Sequence, residues 1–561
     1  MKKIKVSDYL IYCLKKCGID TYFGVQGGAI AHVIESSAKT CDYFPVLNEQ
    51  AGGLYAHGYY FSHKKPACVL TTTGPGFLNS VTGMGACYFD NVPSVFITGQ
   101  VSADLNLAKK FNTKMYGFQE VQHMDIGKNL ADNNFKINSE NTLKNFFKFI
   151  RNNDYKIKKS VFIEIQDAFS RSFVNFSKLN KKSFKSKKIP SVILNKFMKK
   201  ISLAKNPLIL VGNSFKDISN GKKLINQFSK KLNIPIAFTW GGSPLMSKKN
   251  TLNLGYFGMH NPGIANSAIQ KSDLLICFGV SLLQHQAGKN KKLFSPKGKI
   301  LYVNNDSNNI KRINFDFKNR VTNFNFDCID FLKGLRILKV NKNISYRLIK
   351  NSKIENKFIN KSLPVSILSN VLEEFNKKNS KKDRIIFSDA GATLSWTYQA
   401  ANKILGSNII TSFNIHTMGY SIPAGIGAAL KTNRAVLSII GDGGVLMNSQ
   451  ELVNFCRVKN NLKILIIDNK GYGIIRQTQD DFFNSNYIGT KIGLKNNMAP
   501  YNVVNIVKSF GLSVKLANEN LSLSEIKNFI SSKINCLVIN VNKKYKVDHL
   551  TVKNKNDYLP F

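Results

Sequence analysis

Short apolar runs of strand length recur along the chain, and most end in glycine or a polar turn before a stretch with apolar residues at helical spacing. Positions 67–72, 94–98, 208–212, 236–239, 273–278, 299–303, 384–388, 435–440 and 463–468 read as strands, while 79–88 and 447–457 carry a helical repeat. Strands alternating with helices predict an α/β fold with parallel sheets covered on both faces. A lysine-rich connector at 177–188 and a polar, lysine- and asparagine-rich stretch at 340–361 divide the pattern into three. The expected organisation is three doubly wound parallel-sheet domains over 1–175, 190–340 and 365–561, which suits a length of 561 residues. The first and third are alike in layout, and no short tandem repeat is visible.

Charge raises a rival class. A net charge of +46, from 80 Lys plus Arg against 34 Asp plus Glu, would suit a binder of nucleic acid or acidic membrane. The lysines are dispersed among abundant Asn, Ile, Phe and Tyr, as an adenine- and thymine-rich genome would encode, and no zinc-finger or RNA-binding signature accompanies them. Neither nucleic acid nor membrane is an expected partner. Nine scattered cysteines without Cys-x-x-Cys, and a Lys15–Lys16 pair that interrupts the first apolar segment, point to the cytoplasm.

The chemistry concentrates where the run 435–440 meets Gly441-Asp442-Gly443-Gly444. A strand-to-helix turn rich in glycine lets backbone approach a ligand, and helix-start amides suit a diphosphate. Asp442 offers a hard carboxylate oxygen, and the next strand delivers Asn469 at the same sheet edge. Asp442, Asn469 and the carbonyl of Gly471 are therefore the candidate oxygen ligands of a magnesium ion. Gly-Asp-Gly alone is also an ordinary turn; the flanking strands and Asn469 favour the ligand reading. Far upstream, Glu49 follows a short apolar segment and precedes a small-residue stretch with Ala51, Gly52, Ala56 and Gly58, a setting that would bury its carboxyl.

The order Gly24-Val25-Gln26-Gly27-Gly28, Glu49-Gln50, Thr73-Gly74-Pro75-Gly76, Phe118-Gln119-Glu120, Thr417-Met418-Gly419-Tyr420-Ser421-Ile422-Pro423-Ala424 and Asp442 to Asn469 resembles thiamine diphosphate-dependent enzymes, specifically the acetolactate synthase large subunit and its relatives. The resemblance covers nearly the whole chain. It implies that Glu49 hydrogen-bonds the pyrimidine N1′ and so helps the cofactor's own 4′ nitrogen act as a base. Met418 would prop the two rings together; an isolated methionine is more often a core residue, but the setting Thr417-Met418-Gly419-Tyr420 shifts the balance. Gln119 and Phe118 would line the space over the reacting carbon, with loop packing as the plain alternative. Gly27, Pro75, Asn79, Gly391, Ala392, Thr393, Gly441, Gly443, Gly444, Tyr472, Gly473 and Ile474 would join Glu49, Met418, Asp442, Asn469 and Gly471 around the cofactor. The implied reaction is decarboxylation of a 2-oxo acid such as pyruvate with carboligation to a second carbonyl; simple decarboxylation is the alternative. The resemblance also implies a homo-oligomer, at least a dimer, with Glu49 of one subunit facing Asp442 of another.

Departures from the family pattern bear on the acceptor. A Gly-x-Arg-Phe-Asp-Asp-Arg segment reads here Gly279-Val280-Ser281-Leu282-Leu283-Gln284-His285, so two arginines are missing, and a neutral imidazole at His285 cannot grip a carboxylate bidentately. Thr478 stands where a tryptophan is usual, Asn48 replaces a histidine, and Ala392-Thr393-Leu394 replaces a Gln-His-Gln stretch. A different acceptor is expected, in a specialised pathway such as surface-sugar synthesis. FAD stays open: Gly255-Tyr256-Phe257-Gly258-Met259-His260 resembles the flavin-side loop, while the altered 279–285 segment argues the other way.

Overall fold

The Val/Ile/Leu-rich runs form the middle strands of three six-stranded parallel sheets in a computed structural model that describes residues 3–176, 189–337 and 362–547, apart from 216, 260, 262, 263, 381, 382 and 405. The connectors 177–188 and 340–361, and His260, lie outside the described residues. A short antiparallel pair, β1 (Lys3–Lys5) with β8 (Phe173–Asn175), adds a ribbon the sequence pattern did not indicate.

The first sheet uses β2 (Thr21–Gly24), β3 (Asp42–Pro45), β4 (Cys68–Thr71), β5 (Val95–Gln100), β6 (Asn133–Ile137) and β7 (Val161–Gln166), in spatial order β3-β2-β4-β5-β7-β6. The middle sheet uses β9 (Pro207–Val211), β10 (Ile236–Phe238), β11 (Asn253–Tyr256), β12 (Leu274–Phe278), β13 (Lys299–Val303) and β14 (Val321–Phe324), in order β11-β10-β9-β12-β13-β14. The last uses β15 (Arg384–Ser388), β16 (Ile409–Ile410), β17 (Ala435–Gly441), β18 (Leu462–Asp468), β19 (Val514–Ala517) and β20 (Cys536–Asn540), in order β16-β15-β17-β18-β20-β19. The outer two sheets therefore share one strand order, and the middle one differs. Strand side chains alternate between cores: Leu208 and Leu210 enter one hydrophobic cluster, Ile209 and Val211 another, so both faces of the sheet are covered.

Strand order reverses between β2 and β4 in the first sheet and between β15 and β17 in the last. Crevices outside the carboxyl ends of strands at such reversals are where open α/β sheets bind ligands. The two outer domains are locked through the helices Glu49–His63 and Ser421–Ala429, whose backbones meet at glycines. A Cβ on Gly58 would lie 1.9 Å from the Ala424 carbonyl oxygen, and one on Gly427 2.3 Å from that of Tyr55. Beside them buried Asp90 accepts from Phe413 N (2.8 Å), Asn414 N (3.0 Å) and Asn414 Nδ2 (2.8 Å), and pairs with His57 Nε2 at 3.0 Å.

Candidate active site

Asp442 and Asn469 leave the adjacent parallel strands β17 and β18, in which Gly441 pairs with Ile467. The helix begins at Asp442 (Asp442–Met447) and continues as a 3₁₀ turn over Ser449–Arg457, so the repeat read over 447–457 starts five residues late. Helix-start amides consequently belong to Asp442, Gly443 and Gly444 themselves. Each flanking side is close-packed. A Cβ on Gly443 would sit 2.4 Å from the Tyr472 ring, and one on Gly473 2.3 Å from the Asn469 amide. Across the crevice Gly391, at φ 87°, caps the helix Ala392–Lys403 and approaches Ile474, while Thr393 faces Gly441.

One terminal atom of the Asn469 amide lies 3.2 Å from Asp442 Oδ1 and 2.7 Å from the Gly471 carbonyl. Without a cation the amide nitrogen suits that position as a donor to both. With a cation, a turned amide presents three oxygens from Asp442, Asn469 and Gly471, the donor set a hard divalent ion requires. The residues present therefore fit magnesium. The other Asp442 oxygen, Oδ2, accepts from Gly471 N (2.8 Å) and from the Tyr501 hydroxyl (2.5 Å). Burial pushes the Asp442 carboxyl up to about 6, against the lowering effect of the Tyr501 hydrogen bond. Arg476, buried, donates to the Asn469 carbonyl at 2.8 Å and the Lys470 carbonyl at 2.7 Å and so fixes the turn.

Asp389, one residue beyond β15, organises the Met418 loop. Its carboxylate accepts from Ala390 N (2.7 Å), Gly419 N (3.0 Å) and Ser421 N (3.2 Å), and burial raises it to about 7. Met418 is thereby left 37% exposed at the crevice rim instead of in the core.

The second half lies on the first domain. Glu49 is the first residue of its helix, capped by Asn48, whose side chain accepts from Gln50 N at 2.9 Å. The residue is 7% exposed; Oε2 accepts from Asn79 Nδ2 at 3.1 Å, and a Cβ on Gly76 would stand 3.2 Å from Oε1. Glu451 from the last domain, fully buried, accepts from Leu47 N (2.9 Å) and Asn48 N (3.1 Å) and steadies the approach to Glu49. Gly27 packs on Thr72, and the turn Thr73–Gly76 packs on Gln119, whose carbonyl accepts from the Thr73 hydroxyl at 2.9 Å. Pro75 opens the helix Pro75–Phe89 that carries Asn79. Buried Glu120 gathers Ala108 N, Tyr116 N and Gly117 N at 3.0 to 3.1 Å and shapes the loop on which Phe118 stands 79% exposed.

Two clusters thus form, one around Glu49, Asn79, Gly76, Gly27 and Gln119, the other around Asp442, Asn469, Gly471, Tyr472, Gly473, Gly391 and Met418. Among the described residues no hydrogen bond joins them. Asp389, Glu451, Arg476 and Tyr501 are not among the residues the sequence points to, and nothing in their local pattern marks them.

The middle sheet reverses between β9 and β12. There Gly212 N donates to the Phe278 carbonyl (3.0 Å) and Ser214 N to that of Gly279 (3.3 Å), so these amides bond across the crevice. A cavity of about 200 Å³ beside them is lined by Asn213, Thr239, Trp240, Ser281, His285 and Asn414, among others, with no Lys or Arg. That lining offers no basic side chain to the diphosphate of a dinucleotide such as FAD. Burial lowers His285 to about 4, which leaves its imidazole neutral near pH 7.

Three family models match the chain: the thiamine pyrophosphate enzyme N-terminal TPP binding domain at residues 4–126, the central domain at 194–319 and the C-terminal TPP binding domain at 389–541. The chain is also similar to acetolactate synthase 1, chloroplastic, of Nicotiana tabacum, 26% identical over 88% of this chain and 75% of that one. Acetolactate synthase isozyme 1 large subunit of Escherichia coli is 25% identical over 94% and 92%, and the acetolactate synthase large subunit of Lactococcus lactis 26% over 86% and 85%.

Proposed function

The chain belongs to the thiamine pyrophosphate enzymes, and on that premise we propose that it decarboxylates a 2-oxo acid, pyruvate first among them, and joins the remaining fragment to a second carbonyl. The observation that carries this reading is the buried carboxyl of Glu49, held by Asn79 at 3.1 Å on one domain while the oxygen set of Asp442, Asn469 and Gly471 occupies another. When bound, thiamine diphosphate supplies an acidic thiazolium carbon and an electron sink for the decarboxylation. Glu49 holds a proton at its carboxyl for the pyrimidine ring nitrogen, Met418 supports the rings, and Asp442, Asn469 and Gly471 hold magnesium against the diphosphate. The helix-start amides of Gly443 and Gly444, with Gly391, Ala392, Thr393, Tyr472, Gly473 and Ile474, receive the diphosphate. Gln119 and Phe118 shape the substrate space.

His285 favours an acceptor other than a second 2-oxo acid, because a neutral imidazole at that position offers no charged grip on a carboxylate. An aldehyde or keto-sugar is the acceptor class we favour, and no flavin step is used. Leu47, Leu78, Phe118, Met418, Met447 and Val453 leave apolar surface exposed on the two outer domains, which suits a second copy that brings Glu49 of one subunit to Asp442 of the other. We place the domains at 1–175, 190–340 and 365–561 and the enzyme in the cytoplasm; among the described residues no helix is long and apolar enough to cross a membrane.

The test is labelled pyruvate with thiamine diphosphate and magnesium, followed by NMR with and without aldehydes, keto-sugars and 2-oxo acids. A coupled product appearing only with a carboxylate-free acceptor supports the reading. Free acetaldehyde in every mixture supports the simple decarboxylase, and absence of carbon dioxide release overturns the choice of donor.

A further inference from the structure

The segment that follows the helix Gly473–Phe482 folds back onto the cation centre instead of leaving it. Tyr472 N donates to the Thr490 carbonyl at 2.9 Å, and Gly471 pairs with Lys491 in an antiparallel bridge. Gly471 can do this because it adopts φ 121° and has no Cβ; one would lie 2.3 Å from the Thr490 oxygen. A tight turn closes the excursion, with Met498 N donating to the Lys491 carbonyl (3.1 Å) and Gly493 N to that of Met498 (2.8 Å). The next helix, Val503–Ser509, is capped by Asn502, which places Tyr501 at its threshold. From there its phenol reaches Asp442 Oδ2 at 2.5 Å, a distance typical of a charge-assisted O–H to carboxylate bond.

Resting on the proposed cation and diphosphate site, we propose that Tyr501 is a positioning residue for Asp442 and makes the returning segment 483–501 part of the cation centre. Oδ2 receives two donors, Gly471 N and Tyr501, which fill its two lone pairs. Among the described residues Oδ1 has the Asn469 N–H at 3.4 Å besides the Asn469 amide, so it is the oxygen that can turn to a cation. Without the phenol the carboxylate can rotate and present either oxygen, and the ordering of a ligand by its outer partners is lost. The same bond links order in the segment to occupancy of the site, because both of its anchors, Gly471 and Asp442, are ligand residues.

Calorimetric titration of magnesium into protein with thiamine diphosphate tests this on wild type, Tyr501→Phe and Tyr487→Phe. Tyr487, in the same segment, donates to Asp480 of the helix Gly473–Phe482 at 2.5 Å and does not touch the cation centre. Removal of an outer-shell partner costs about 10- to 100-fold in metal affinity, and Tyr501→Phe is expected to weaken magnesium binding at least about tenfold, with Tyr487→Phe near wild type. Hydrogen exchange of 483–501, slowed by magnesium and cofactor in wild type, should lose that slowing in Tyr501→Phe. Equal affinity in wild type and Tyr501→Phe, or an equal loss in both variants, overturns the positioning role. Wild type that takes up neither magnesium nor cofactor overturns the underlying site reading as well, and so separates the two failures.

Discussion

Glu49→Gln isolates proton sharing from shape. The residue starts its helix at 7% exposure, and among the described residues its side-chain hydrogen bond is the 3.1 Å contact with Asn79. Glutamine has the same length, and its amide oxygen can keep that bond, so packing and the Asn48 cap remain. On the proposed role, what disappears is a carboxyl able to hold or release a proton at the pyrimidine nitrogen. A positioned acid or base contributes about 10²- to 10⁴-fold, or about 3–5 kcal/mol of barrier at roughly 1.4 kcal/mol per decade. Carbon dioxide release from labelled pyruvate under saturating magnesium and cofactor should fall by at least about a hundredfold, with cofactor affinity within a few-fold of wild type by calorimetry. A rate near wild type, or a loss of binding as large as the loss of rate, refutes the role assigned to Glu49.

Other expectations concern how the halves are held. Asp90→Ala removes the acceptor for Phe413 N and His57 inside a buried contact; with about 1–3 kcal/mol for each stranded buried group, urea denaturation should show a loss of about 3 kcal/mol, and a loss under about 1 kcal/mol would count against this network. Gly58→Ala drives a methyl to 1.9 Å from the Ala424 carbonyl, whereas Gly85→Ala meets nothing nearer than 3.5 Å. The first should cost about 2 kcal/mol or more and the second almost nothing, and equal thermal stability of the two would refute the close-packed contact. Asp389, raised from 3.8 to about 7, keeps its proton in the native state after the unfolded chain has released it. Its contribution is fully present below about pH 4 and is lost as pH rises through 7. The melting temperature of the cofactor-free protein, compared with Asp389→Asn, should therefore decline more steeply between pH 4.5 and 7.5; parallel curves would contradict the shift.

Sheet strands were legible because burial on both faces writes continuous apolar runs, as in 435–440 and 463–468, and glycine-rich ends mark where they stop. The helix start at Asp442 was less so, since Gly443 and Gly444 have low helical propensity and the local pattern favours a turn there. The β1–β8 ribbon escaped for a different reason: each strand has three residues, too few for alternation to register. Asp389 and Glu451 look like ordinary acids in sequence, yet both are buried; Asp389 through both oxygens and Glu451 through Oε1 accept from backbone amides of distant segments.

By itself the sequence determined the candidate residue types for the chemistry and their places at strand ends, because strand periodicity and turn glycines are local properties. Only the tertiary structure decided what each carboxylate faces. Tyr501 lies 59 positions from Asp442, and Glu451 lies 404 from Leu47; no local spacing encodes such pairs. They arise when parallel crossovers bring strand ends to one edge and the glycine-paired helices close the outer domains together.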